Sequence, residues 1–161
     1  MIGYLFKAFI AKNKEFFKKA AVGYYVAAGV CLLMVLTAIV YAAGFSSINP
    51  ELVAWEAVAF LWVGFGLALL CLILPIFVPM LKEYMLPAAP WVLLGCALIA
   101  LAFFAPKTVI EYVTTTGSAD RFTELRFLMP TILFVLTPIA ATPGIFFKSS
   151  KKEQINHEEE N

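Results

Sequence analysis

The feature that most constrains this chain is a series of four apolar runs, at about 20–43, 54–81, 88–105 and 127–147, with no Asp, Glu, Lys, Arg or His well inside any of them. An α-helix rises 1.5 Å per residue and the hydrocarbon core of a bilayer is about 30 Å thick, so about 20 apolar residues reach across it. Within lipid every backbone N–H and C=O has to bond internally, which makes helices the expected form of all four runs. The fold class expected is therefore an all-α integral membrane protein, a four-transmembrane-helix bundle. The first run exceeds the roughly 7–15 apolar residues of a signal-peptide core, and is expected to be a span. The third, at about 18 residues and closed by Pro106, is marginal: it should thin the bilayer locally or extend past Pro106. Three spans with a re-entrant third segment is the fallback.

Composition agrees. Of the 161 residues, 62% are apolar and 14% charged, against about 45–50% and about 25% in soluble domains. The net charge of +1 carries little meaning, because it sums opposite local clusters. No strongly basic groove for nucleic acid is present. What matters is where Lys and Arg sit relative to the spans. Lys7, Lys12, Lys14, Lys18 and Lys19 precede the first run, Lys82 follows the second, and Lys148, Lys151 and Lys152 follow the fourth. Lys107, Arg121 and Arg126 lie on the other side, and the 44–53 connection has no base. Nine bases against three predict N-in/C-in topology, with both termini cytoplasmic. Lys outnumbers Arg ten to two, and with compact loops this suggests a prokaryotic plasma membrane.

Three domains of behaviour follow. Residues 1–19 are expected to form an amphipathic helix in the interface. At 100° per residue Ile2, Leu5, Phe6, Phe9, Ile10, Phe16 and Phe17 share one face, interrupted by Asn13, while the five lysines face headgroups. This is read as a juxtamembrane anchor or a docking helix for a partner subunit. Residues 20–147 form the membrane domain. Residues 148–161, Lys-rich and then acidic at Glu158-Glu159-Glu160, are expected to be a disordered cytoplasmic tail.

Within the spans, Ala57, Gly64, Ala68, Cys71 and Pro75 fall on one stripe of the second run, opposite Trp55, Trp62, Leu69 and Ile73. Small residues let helix backbones approach closely, so this stripe is a helix-packing face or a partner face. Gly23 with Ala27, and Ala140 with Gly144, repeat the small-residue spacing. Pro75 and Pro79 in the second run, and Pro130, Pro138 and Pro143 in the fourth, predict kinks. Thr131, Pro138 and Thr142 share a face of the fourth run, and a Thr hydroxyl can satisfy backbone groups that a kink frees. They mark a candidate hinge or solute path. Cys31, Cys71 and Cys96 lie inside apolar runs and read as packing residues rather than a disulfide framework.

Glu56, one turn from the outer boundary beside Trp55, reads as an interfacial carboxylate at a helix N-terminus, or as an outer-mouth cation site. Residues 106–126 are the only sizeable extramembrane segment expected. There 108–116 is rich in β-branched residues and suited to a short extended piece, and Ser118 or Asp120 could cap a helix supported by Arg121 and Glu124.

The chain has one histidine, His157 in the tail, so bis-His haem and the usual His-based metal sites are not expected. No Asn-x-Ser/Thr glycosylation acceptor occurs, nor do the Cys-x-x-Cys, Gly-x-Gly-x-x-Gly, Gly-x-Ser-x-Gly and phosphate-binding Gly-Lys-Ser/Thr patterns. Pumps, proton-coupled carriers and voltage sensors hold ionisable groups in the membrane at a cost of about 2.5–3.5 kcal/mol each, and none is seen here. The expectation is a non-enzymatic accessory or scaffolding subunit without metal or cofactor. Its partners would be the lipid bilayer and other membrane subunits or further copies of itself. A channel or carrier for an uncharged or lipophilic solute is the alternative. A lipid-handling enzyme using Glu56, Glu111 or Asp120 is a weaker third.

Overall fold

The computed structural model of the chain describes residues 22–46, 50–111, 114 and 125–147. The surface helix expected at 1–19, with its lysines, and the tail at 148–161 lie outside the described residues, as do Ser118, Asp120, Arg121 and Glu124.

Among the described residues every regular element is helical and none is a strand. Four long helices follow one another: α1 (Val22–Ser46), α2 (Trp55–Phe77), α3 (Lys82–Phe104) and α4 (Leu125–Phe146). Short 3-10 turns at Pro50–Leu52 and Pro79–Leu81 lead into α2 and α3, and a π turn at Ala105–Ile110 prolongs α3. All four helices are long and apolar enough to cross a membrane. This is the make-up of a multi-pass membrane protein.

The helices form a ring in which each packs on its two chain neighbours and α4 closes against α1, while α1 also meets α3 across the middle. Their directions alternate. Tyr41 near the end of α1 touches Ala54 at the start of α2, Phe104 at the end of α3 and Phe134 in the first half of α4. At the opposite end Gly144 of α4 faces Pro90 of α3 and Val26 of α1. Lipid gives helices no hydrophobic reason to associate, so close van der Waals packing has to hold the ring. The interior supplies it with small residues and large ones interleaved: Ala27, Met34 and Ala38 from α1, Ala57, Leu61 and Ala68 from α2, Leu93, Ala97 and Ala100 from α3, and Phe134 and Ala141 from α4. Leu32, Leu36, Trp55, Trp62, Trp91, Ile132 and Ile139 are exposed on the outside, the surface that lipid would cover.

Two helix bounds differ from the apolar runs that suggested them. The run at 54–81 yields a helix that stops at Phe77. Val78, which precedes Pro79, is extended at φ −122° and ψ 90°, because a proline ring crowds a preceding residue out of the helical region. The connection to α3 is therefore the single turn Pro79–Leu81, in which the Leu81 N–H donates to Val78 O. The third span is not confined to 88–105. It runs from Lys82 to Ile110, 29 residues, and is continuous through Pro87, Pro90 and Pro106. At 1.5 Å per residue it is about 43 Å long, more than a hydrocarbon core needs, so tilt or protruding ends have to absorb the excess. Pro106 does not end it, because the turn there widens. In consequence residues 108–111 are helical and not extended.

Candidate functional site: a buried hydroxyl cluster

The polar atoms inside the ring come mainly from side chains that an apolar run hides. Thr37, Thr108 and Thr137 are buried, as is Tyr41, one turn beyond Thr37 on α1. They form two groups along the axis of the bundle.

In the first group Thr37 Oγ1 of α1 lies 3.1 Å from Thr137 Oγ1 of α4. Each hydroxyl also reaches the carbonyl one turn back on its own helix, Thr37 to Leu33 O at 2.8 Å and Thr137 to Leu133 O at 2.6 Å. A threonine has one hydroxyl proton. Two protons thus serve three contacts, and the bond between helices alternates with a carbonyl bond within one of them.

The second group centres on Tyr41. Its hydroxyl accepts the backbone N–H of Ala54 at 2.7 Å and shares a proton with Thr108 Oγ1 at 2.5 Å, where either oxygen can donate. Ala54 is the N-cap position of α2 and gives no side-chain cap. The first N–H groups of a helix need outside acceptors, and here a phenol from another helix reaches in. Tyr41 is held in place by its ring: Phe104 and Phe134 meet it edge-on at 5.3 and 5.1 Å, and Phe45 leans on it at 5.6 Å. Phe104 and Phe134 stack on each other at 4.2 Å and 7°. All four rings are almost wholly enclosed. They fill the centre of the bundle at this level. Just outside, Lys107 Nζ lies 3.7 Å from Glu56 Oε2 on the exposed rim.

Most of the sequence-derived stripe on α2 faces inward. Ala57, Gly64, Ala68 and Pro75 are buried and Cys71 is half-buried, whereas Trp55, Trp62, Leu69 and Ile73 are exposed. That face meets neighbouring helices of the same chain. Gly64 is its tightest point, with Cys96 and Met34 against it. The set Thr131, Pro138 and Thr142 is not drawn to one place: Pro138 is buried, Thr131 half-buried and Thr142 exposed. The buried stripe of α4 is centred on Phe134 and Ala141, which an ideal helix puts about a quarter turn from Thr131. Nor do the threonines reach the carbonyls that prolines deprive of a donor, at 126, Phe134 and Ile139. Thr131 donates to Phe127 O and Thr142 to Pro138 O. Glu56 sits in the first turn of α2, where the helix dipole favours it, and is paired with Lys107. All three cysteines are free thiols, with Cys31 buried. Among the described residues no three His, Cys, Asp or Glu side chains gather in a way that could hold a metal ion.

No protein family, curated protein or solved structure matches the chain. The site's chemistry is simple. It consists of neutral hydroxyls bonded to one another and to backbone, an arrangement that fixes one helix against the next. Hydrogen bonds between membrane helices contribute about 0.6 kcal/mol on average.

Sequence reasoning passed over Thr37, Tyr41, Thr108 and Thr137, because their partners are distant in the chain. The available signal was the four-residue step from Thr37 to Tyr41, which sets both on the face that carries Met34 and Phe45.

Proposed function

We propose that this chain is a multi-pass protein of the cytoplasmic membrane, both termini on the cytoplasmic side, that serves as a non-enzymatic accessory or scaffolding subunit of a membrane complex or homo-oligomer. The orientation follows from the nine-to-three imbalance of Lys and Arg. The observation that carries the functional reading is the packed aromatic group of Tyr41, Phe104 and Phe134 on the bundle axis, each no more than 1% exposed. An interior closed by stacked rings suits a rigid body whose outer faces do the work. The exposed surface of tryptophan, leucine and isoleucine side chains is suited to lipid and to neighbouring spans. Purification from native membranes in mild detergent should yield partners in fixed stoichiometry or a defined oligomer. A monodisperse lone monomer contradicts the reading.

One observation favours a second reading, a channel or carrier for an uncharged or lipophilic solute. The hydroxyls of Thr37, Thr137, Tyr41 and Thr108 follow one another along the axis, a polar column that a small neutral solute could use if the rings moved. Flux into liposomes that is lost in Thr137→Val or Pro138→Ala supports it. No flux for a broad solute panel retires it.

A further inference from the structure

At the end of α3 the backbone departs from α geometry. Pro106 lacks an N–H, and its ring crowds the carbonyl four residues back. The turn that follows is wider: the Glu111 N–H donates to Pro106 O, five residues back, as well as to Thr108 O. π turns are rare and are kept where surrounding contacts hold them.

The wider turn changes which side chains face the bundle. In an α-helix each residue advances about 100°, so Thr108 would point about 40° past Phe104, and Glu111, seven residues on, would return to within about 20° of Phe104's inward direction. A wider turn advances each residue less. Thr108 then comes nearly into line with Phe104, toward Tyr41, and Glu111 falls short of the inward face. In the structure Thr108 is buried on the Tyr41 hydroxyl and Glu111 is exposed. Lys107 is displaced to the rim, where it meets Glu56.

We infer that the Tyr41 hydroxyl is the catch of a helix-register switch at this end of the bundle. While it holds Thr108, the π turn persists and position 111 faces out. When it lets go, 105–110 closes to α geometry and position 111 rotates onto the buried face. Tyr41 is the fixed partner, since three phenylalanine rings and the Ala54 N–H set where its oxygen lies. Thr108 is the partner that moves. The charge of Glu111 is a second restraint on the closed form, because burying a carboxylate is costly. The segment that rotates leads from the third span to the fourth, so the catch governs how this end of the bundle is presented. The inference concerns conformation and is independent of whether the chain is a subunit or a carrier.

The test uses the full chain in lipid nanodiscs, with Cys31, Cys71 and Cys96 replaced by Ala and an uncharged nitroxide attached at Glu111→Cys. With Tyr41 intact, the label should be accessible to a water-soluble paramagnetic relaxer. Tyr41→Phe, which keeps the ring packing, should lower the outward-to-inward ratio at position 111 about threefold, the shift that one hydrogen bond between membrane helices supplies, while the spectrum stays ordered, and Thr108→Val should do the same. Unchanged access in both variants overturns the inference. So does a narrow, mobile spectrum, which marks simple fraying, or a label already inaccessible with Tyr41 in place. If Tyr41→Phe does not fold, Thr108→Val alone decides.

Discussion

Gly64 of α2 and Cys96 of α3 lie so close that a methyl group at position 64 would sit 2.6 Å from Cys96 Cβ, and 2.7 Å from Met34 Cε of α1. Three helices meet at that point because one of them has no side chain there. The methionine tip can swing away, but the cysteine Cβ moves only with its backbone.

Gly64→Ala is therefore expected to destabilise the bundle by about 1–3 kcal/mol, the range for overfilling a packed interior. Gly66, two residues on, has nothing within 4 Å of its absent Cβ. There Ala should be neutral, or stabilise by up to about 1 kcal/mol through helix propensity. Reversible unfolding in mixed detergent and SDS micelles, followed by circular dichroism, measures both. Equal losses at 64 and 66 would show that the close approach is not what matters.

The Thr37–Thr137 pair makes a prediction of a different kind. Each of Thr37→Val and Thr137→Val keeps shape and removes a hydroxyl, and each should cost about 0.6 kcal/mol, the average for hydrogen bonds between membrane helices. Because both singles remove the same bond between α1 and α4, the double variant should lose less than the sum of the singles. A double-mutant cycle on the same unfolding assay reads the difference, and strict additivity argues against a shared bond.

The Glu56–Lys107 pair is partly exposed, 55% and 37% for the two side chains, at a 3.7 Å separation. Exposed ion pairs contribute about 0–1 kcal/mol and are screened by salt. Glu56→Gln should change stability by less than about 0.5 kcal/mol, with the difference vanishing in high salt. A larger loss that persists in salt would point to a role for this carboxylate beyond pairing.

How much of this was legible in the sequence depends on range. Charge-free length gave the number of helices, since lipid allows those runs little else. The inward stripe of α2 was readable too, because Ala57, Gly64, Ala68 and Pro75 repeat at helical spacing within one run. Helix ends were less readable at prolines: Pro79, expected to kink the second run, follows the end of a helix, whereas at Pro106, where closure and extension were both open, the helix continues. A proline says that an N–H is missing, and whether the chain bends, breaks or widens depends on neighbours the sequence does not show. The hydroxyl cluster was the least legible. Thr37 and Thr137 are one hundred residues apart, and Tyr41 meets Thr108 across sixty-seven. Nothing local distinguishes these from threonines that only bond their own helix, such as Thr131 and Thr142.

The account rests on four helices crossing a bilayer with both termini on one side, and a thiol-accessibility measurement tests that most directly. In a background with the native cysteines replaced, Ser47→Cys and Ser150→Cys are probed with a membrane-impermeant maleimide in sealed cells and again after permeabilisation. The account predicts that position 47 reacts in sealed cells and that position 150 reacts only once the membrane is opened. If both positions react alike in sealed cells, or both stay shielded, the account is contradicted.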